Sequence, residues 1–454
     1  MKKILLLLIF AITSANAQWI DQNAGFTNKV LGFYEFGIVN ENTVWAICYD
    51  GFNGLLSSNP VLDFTRTIDG GTTWVPGTMG TDLTLAFSNI SAISNTEAWV
   101  AMHRFGSIDG GGGGIFHTID SGVTWTQSNA NTIFNSASFP NFVHFKDAMN
   151  GIAGGNVNDG YFEIYKTSDG GTTWTRTPQA NFPALPLNGG IGWFDGYCAI
   201  GDTIWFGSTR SKMYKSIDFG TTWTIANVSA IATDRVYEIA FNDDALHGVC
   251  HTRTSSGTTK LFATADGGTT WVQRVTATIP NWKRSRITSV PGTNNFVSTS
   301  TSNPVGSSVS SDNGLTWTII ESTKQKAACR FLNSTTGWAG GFFTDSAQFG
   351  FQDGIFKWDN SINLSNNNIE LLEKKIVVYP NPAKENLTIS FPKELNQNLK
   401  IEIIDLLGRI SFSEEFDNQL NNEIKINISN LAKGNYLLKI NSEIEFVTKK
   451  INIQ

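Results

Sequence analysis

Apolar positions along this chain fall in short β-like stretches and show no helical period. Stretches such as Gly-Ile-Phe-His at 114–117 and Glu-Ile-Tyr-Lys at 163–166 precede polar turn residues, and β-branched, aromatic, Gly and Thr residues dominate. A short strand with a small or aromatic centre recurs as TVWAICYDG (43–51), EAWVAM (97–102), NGIAGG (150–155), TIWFGS (203–208), HGVCHT (247–252), NFVSTS (295–300) and TGWAGG (336–341). The first six of these are each followed by one polar octapeptide, Ser/Thr-x-Asp-x-Gly-x-Thr-Trp, whose tryptophans are Trp74, Trp125, Trp174, Trp223, Trp271 and Trp317, spaced 51, 49, 49, 48 and 46 residues apart. A fixed period of this length marks a repeat architecture.

Each octapeptide predicts a tight turn between two strands. The Asp carboxylate accepts backbone N–H groups further along, Gly takes the positive φ of a sharp turn, and Trp opens the next strand with a large apolar face. The motif resembles the Asp box, or BNR repeat, of sialidases and many other β-propellers. In that family the box lies on the outer rim, away from the ligand face. The resemblance therefore implies a turn-forming role for Asp69, Asp120, Asp169, Asp218, Asp266 and Asp312, not catalysis or metal binding.

Seven strand repeats and six boxes leave one unit incomplete. The seventh repeat leads to GIFKW (354–358) with no box after it, and Gln18-Trp19-Ile20 reads like the strand that normally follows a box. The two ends would complete one blade together and remove exposed strand edges. The expectation is a seven-bladed, all-β propeller over 18–358, with six blades the alternative if the segment near Trp338 is only a cap. The W-x-x-G…T-x-D-G-G-x-T-W spacing resembles the seven-bladed photosystem II assembly factor-like propellers, a likeness that implies a binding platform rather than an enzyme.

Both ends carry further signals. Lys2-Lys3, the run LLLLIFAI and Ala15-Asn16-Ala17 predict a secretory signal peptide over 1–17. No second apolar run reaches membrane length, so no transmembrane segment is expected. After Trp358, the segment DNSINLSNNNIELLEKK (359–375) reads as a linker, placed at 359–373. Alternating strands follow at 377–382, 386–391, 399–405, 423–428, 435–440 and 445–453, with turn residues between them, and predict a small Ig-like β-sandwich over 374–454. Its ordered motifs are Tyr379-Pro380-Asn381-Pro382, Asp405-Leu406-Leu407-Gly408-Arg409, Gly434-Asn435-Tyr436 and Lys449-Lys450. They resemble the C-terminal sorting domain of the type IX (Por) secretion system. That resemblance implies outer-membrane translocation in a Bacteroidota-type bacterium, a translocon and a sortase as partners of 374–454, and release or surface attachment of the cargo.

Composition narrows the partners. The formal net charge is −6 and 16% of residues are charged. That is low for a soluble domain and lacks the basic footprint of a nucleic-acid binder. Cys48, Cys198, Cys250 and Cys329 lie in different repeats, so either disulfides or buried thiols are compatible with an oxidising compartment. No spacing of Cys or His suggests zinc. No metal, no cofactor and a monomer are expected.

A propeller ligand is expected on the funnel face, at loops that follow the tryptophan strand or the TVWAICYDG-type strand. Basic residues recur on these loops, and Arg104, Arg210, Arg253, Trp282 and Arg284 are the expected contacts. Guanidinium forks suit carboxylate or phosphate, and Trp282 or Trp193 could stack on a sugar ring. An acidic glycan or an anionic protein segment fits this chemistry. Arg104, Arg210 and Arg253 could imitate a sialidase arginine triad. However, the Phe/Tyr-Arg-Ile-Pro motif is absent before the first box, and adjacent Tyr237 and Glu238 would point to opposite faces of a strand. Another glycoside hydrolase would need two facing carboxylates from among Glu35, Asp50, Asp159, Glu238 and Asp345, which sequence cannot place. The expected function is an exported surface propeller that binds glycan or protein, with a glycoside hydrolase and a structural adhesion protein as alternatives. No catalytic residue can be assigned.

Overall fold

In the computed structural model the chain forms two compact units, Met1–Leu364 and Ser365–Gln454. The residues described are 18–359 and 376–454, apart from 27–30, 51–59, 81, 83, 107–110, 129–131, 185–191, 209–211, 227–234, 255–256, 275–280, 302–303, 342–353, 392–398, 406–408, 417–422 and 443–445. The side chains of 192–195 and 441–448 also lie outside the described set. The expected signal peptide, most of the expected linker, Arg210, Asp345 and Gly408 lie outside the described residues.

Among the described residues, the first unit contains seven four-stranded antiparallel sheets. Six are local meanders, such as Leu31–Ile38, Val44–Asp50, Asp63–Thr67 and Val75–Thr78 in blade 1. The seventh joins Ala328–Asn333, Thr336–Gly340 and Ile355–Trp358 to the N-terminal strand Trp19–Gln22, with Trp19 opposite Trp358. The propeller therefore has seven blades, and the alternative of six is excluded. The recurring strand of the sequence is the second strand of every blade. Its tryptophans, Trp45, Trp99, Trp205 and Trp338, are among the largest fully buried side chains and fill the spaces between blades.

Every octapeptide joins the third strand to the fourth, and one hydrogen-bond pattern repeats in all six. In the first, the Thr67 hydroxyl donates to Asp69 Oδ1 at 2.9 Å, and the Thr73 amide and hydroxyl donate to the two carboxylate oxygens at 2.8 and 2.6 Å. The turn's second glycine is required on two counts. Gly171 has φ 77°, and a Cβ there would lie 2.2 Å from Cη2 of Trp99 in the preceding blade. Gly70 N–H donates to the carbonyl of Asn42, Gly170 to Met149 and Gly267 to Leu246, so the boxes share a face with the turns between first and second strands. The described residues of the connections that follow the second strand lie at the opposite end of the strands, where Phe105 N–H donates to the Thr84 carbonyl and Gly111 N–H to the Ser136 carbonyl.

The four cysteines form no disulfide; all lie in the propeller interior, three of them buried, and burial pushes the Cys198 thiol up to about 11 and Cys329 to about 12. No helix among the described residues is long and apolar enough to cross a membrane.

The second unit pairs a three-stranded sheet (Val377–Tyr379, Asn386–Ser390, Glu423–Asn427) with a four-stranded one (Ile410–Phe416, Leu399–Asp405, Gly434–Ser442, Phe446–Ile453). Leu387, Ile389, Ile401, Ile403, Ile426 and Leu438 form its core. Strand Ile410–Phe416 is not predicted from sequence. It is an edge strand exposed along most of its length, so no buried alternation announces it.

Candidate functional site

The innermost strands carry polar residues at the middle of their length, and these link several neighbouring blades around the axis. Between blades 1, 2 and 3 the links are neutral. Tyr34 Oη donates to the Phe87 carbonyl at 2.6 Å, Asn89 exchanges two hydrogen bonds with Val143, and Phe145 N–H donates to Ser91 Oγ at 3.0 Å. Between blades 5, 6, 7 and 1 they are charged. Arg286 pairs with Glu238 and donates from Nε to the Ala327 carbonyl at 3.1 Å, Ile287 N–H donates to Glu238 Oε2 at 3.3 Å, and Arg330 pairs with Glu35 at 2.9 Å.

Two carboxylates and two guanidiniums therefore converge, and each carboxylate already carries a guanidinium. Burial pulls the pKa of Arg330 down, and the Glu35 and Glu238 carboxylates more than offset it. Burial raises Tyr197, which stands beside this set with the Glu35 charge adding to the rise. Tyr237 and Glu238 diverge at a bulge between Val236 and Glu238: the Tyr237 ring lies parallel to His251 at 5.8 Å, and Glu238 faces Arg286.

Outside this buried set, on the face opposite the boxes, lie Arg104, Arg253 and Arg284 of the expected ligand contacts. Arg253 ends the second strand of blade 5 and is paired in register with Arg235; both are exposed. Arg284 is exposed on the segment entering blade 6, with its guanidinium 5.8 Å from the centre of the Trp282 ring. His251 links the two groups. Its ring lies 6.4 Å from that of Trp282, and burial, together with the charges of Arg286 and Arg253, lowers its pKa to about 3, so it stays neutral. Arg253 and Arg284 thus stand on adjacent blades, 5 and 6, on either side of the His251–Trp282 contact. Arg104 stands apart: it ends the second strand of blade 2, where its charge helps lower the Asp82 carboxyl after the Thr84 hydrogen bonds.

Other loop residues sit differently from a reading of them as solvated contacts. Trp282 is 3% exposed and packs with Val249, Leu261 and Phe296, leaving no open ring face for a sugar. Lys283 is buried and donates to the Val305 carbonyl at 2.7 Å, and Lys326 is buried against Glu321. Asp159 pairs with Arg176 at 3.3 Å. Sequence reasoning named Glu35 and Glu238 as carboxylates but missed Arg330. The available signal was an ionisable or amide residue in the middle of successive innermost strands.

Residues 377–454 match the family described as secretion system C-terminal sorting domain. Within that unit Asn381 Nδ2 donates to the Lys450 carbonyl at 2.9 Å and Asn452 N–H to Asn381 Oδ1, tying the Pro380-Asn381-Pro382 motif to the Lys449-Lys450 strand. The unit is a type IX sorting domain, and the chain is exported to the cell surface or extracellular space. No curated protein matches the chain. Among solved structures, YCF48 from Cyanidioschyzon merolae is 16% identical with a TM-score of 0.52, covering 76% of this chain and 100% of its own. PorZ, a surface component of the type IX secretion system of Porphyromonas gingivalis, is 13% identical (TM-score 0.44; 93% of this chain, 59% of PorZ). A GH74 xyloglucanase from Xanthomonas campestris is 12% identical (TM-score 0.48; 83% and 60%). The first likeness shows the propeller fold alone, and the other two carry no argument.

Proposed function

We propose that this exported propeller is a binding protein whose face opposite the boxes takes an anionic extracellular ligand, a carboxylated or sulfated glycan or an acidic protein segment. The observation that carries this reading is the patch at blades 5 and 6. Arg235, Arg253 and Arg284 are exposed and make no ion pair among the described residues, in a chain of net charge −6. The neighbouring carboxylate, Glu238, is committed to Arg286 and the Ile287 amide. Three exposed guanidiniums without a counter-charge make a site for bidentate anion contacts. Arg104 is proposed as a further contact along the same face; Arg210, proposed from the sequence alone, lies outside the described residues. Trp282 acts from below, as a buried support for Arg284.

The test is to present the secreted protein with neutral, carboxylated and sulfated glycans and with acidic and basic peptides. Binding confined to the anionic members, weakening as salt rises, is expected. Equal binding of neutral glycans, or hydrolytic turnover without stable binding, would overturn the reading.

A further inference from the structure

The sorting unit carries a feature that neither its own core nor the propeller uses. Strand Ile410–Phe416 ends the four-stranded sheet and pairs only with Leu399–Asp405, so one edge of its backbone meets no strand among the described residues. It is seven residues long, whereas the outer strands of the seven blades run to only two to four. Elsewhere in the sorting unit, Val377–Tyr379 is three residues long and runs into Pro380, and Glu423–Asn427 is five and bears exposed Lys425. The far edge strand, Phe446–Ile453, is covered from Lys450 onward: Asn381 bonds the Lys450 carbonyl and the Asn452 N–H, and Ala383 N–H donates to the Asn452 carbonyl at 2.8 Å. Among the described residues, Ile410–Phe416 is therefore the longest exposed edge left uncovered.

Edges are commonly blunted by proline or lysine, because unpaired N–H and C=O groups template a further strand. This edge has neither, and one register shift, at Ile403 and Ile404, is its only irregularity. Its charges are Glu414 and Glu415, which are exposed, project to opposite faces and make no ion pair among the described residues. Lys400, opposite Glu415 in register, pairs instead with Glu402 at 3.0 Å. Ile410 is 59% exposed. It stands beside Ile404, and Ile404 beside Leu437, so a row of apolar side chains crosses three strands and ends on the open edge.

We propose that the export machinery reads the sorting unit at this edge, by adding an extended segment that carries Lys or Arg opposite Glu414 and Glu415 and an apolar residue beside Ile410. Backbone pairing supplies the affinity of such strand addition, and the flanking side chains supply its selectivity. A second copy of this chain is the poorer occupant. It brings two more carboxylates to the same ladder, and like charges across paired strands destabilise them. The match of 377–454 to a secretion sorting family gives the unit a partner to meet, and a sandwich with a self-contained core offers that partner its edge.

The test follows export of the full chain by the cells that secrete it. Glu414→Lys with Glu415→Lys should cut the protein at the surface and in the medium to the level of a chain lacking 377–454, while the purified full-length variant keeps the wild-type Tm. Lys425→Glu, on the other sheet, should leave export unchanged. Successive N–H groups of a strand point to opposite sides, so one of Ser413→Pro and Glu414→Pro loses a bond to Leu399–Asp405 and the other alters only the open edge. The one that keeps its Tm should also be exported poorly, which separates backbone pairing from charge; if neither keeps it, the charge-reversed chain decides alone. Wild-type export of the charge-reversed chain, or of the proline variant with unchanged Tm, would overturn the proposal. Either result would leave the sorting assignment standing, since the truncated chain tests that separately.

Discussion

Each of the six box aspartates uses its carboxylate inside its own turn. The Thr73 hydroxyl and amide lower the Asp69 pKa, and Thr124 and Thr173 do the same for Asp120 and Asp169. A carboxyl depressed in the folded state stabilises it fully above the unfolded pKa and loses that contribution as pH falls through the folded value. Thermal scans should therefore show Tm dropping as pH is taken below about 4. Asp218→Ala should cost about 1 kcal/mol of stability and leave ligand affinity unchanged; a loss of affinity at constant stability would place the box in the binding site. At the axis, Arg286→Met removes the counter-ion of a buried Glu238, and denaturant unfolding should show a loss of about 3–5 kcal/mol. Glu238→Gln together with Arg286→Met should recover part of it, because no uncompensated charge is left behind.

The element that closes the ring is the N-terminal strand. Trp19 is 2% exposed, meets Trp358 edge-on at 5.0 Å and donates from Nε1 to Ser307 Oγ at 2.9 Å. Trp19→Ala should lower stability by about 3–5 kcal/mol and expose the edge of Ile355–Trp358, so light scattering on heating should rise earlier than in the wild type. This closure was legible in the sequence, because Gln18-Trp19-Ile20 repeats a pattern met six times and the seventh unit lacks its last strand. The second strand of every blade was legible for the same reason: repetition amplifies a weak local signal. Strand Ile410–Phe416 was not, since an exposed edge needs no buried alternation. The burial of Trp282, Lys283 and Lys326 was hidden too, because it depends on how the segments entering blades 6 and 7 pack, which no local pattern encodes. Sequence places Arg104, Arg253 and Arg284 on loops, but only the fold shows that Arg253 and Arg284 stand on adjacent blades and that Arg104 is three blades from Arg253 in chain order.

At the scale of the whole molecule, the chain combines an export address with a seven-bladed propeller. Removing residues 377–454 should abolish appearance of the protein at the cell surface and in the medium, read by fractionation and immunoblotting; undiminished export would contradict the assignment of the sorting unit. The propeller presents self-satisfied turns on one face and, among the described residues, guanidiniums without an ion pair on the other, so the proposed ligand should engage the second. The most direct test is the affinity of the secreted protein for its best anionic glycan or peptide, compared with that of Arg253→Ala/Arg284→Ala. A loss of at least about tenfold, about 1.4 kcal/mol, with unchanged Tm and a shallower salt dependence is expected. Equal affinity and equal salt dependence in the double variant would contradict the account.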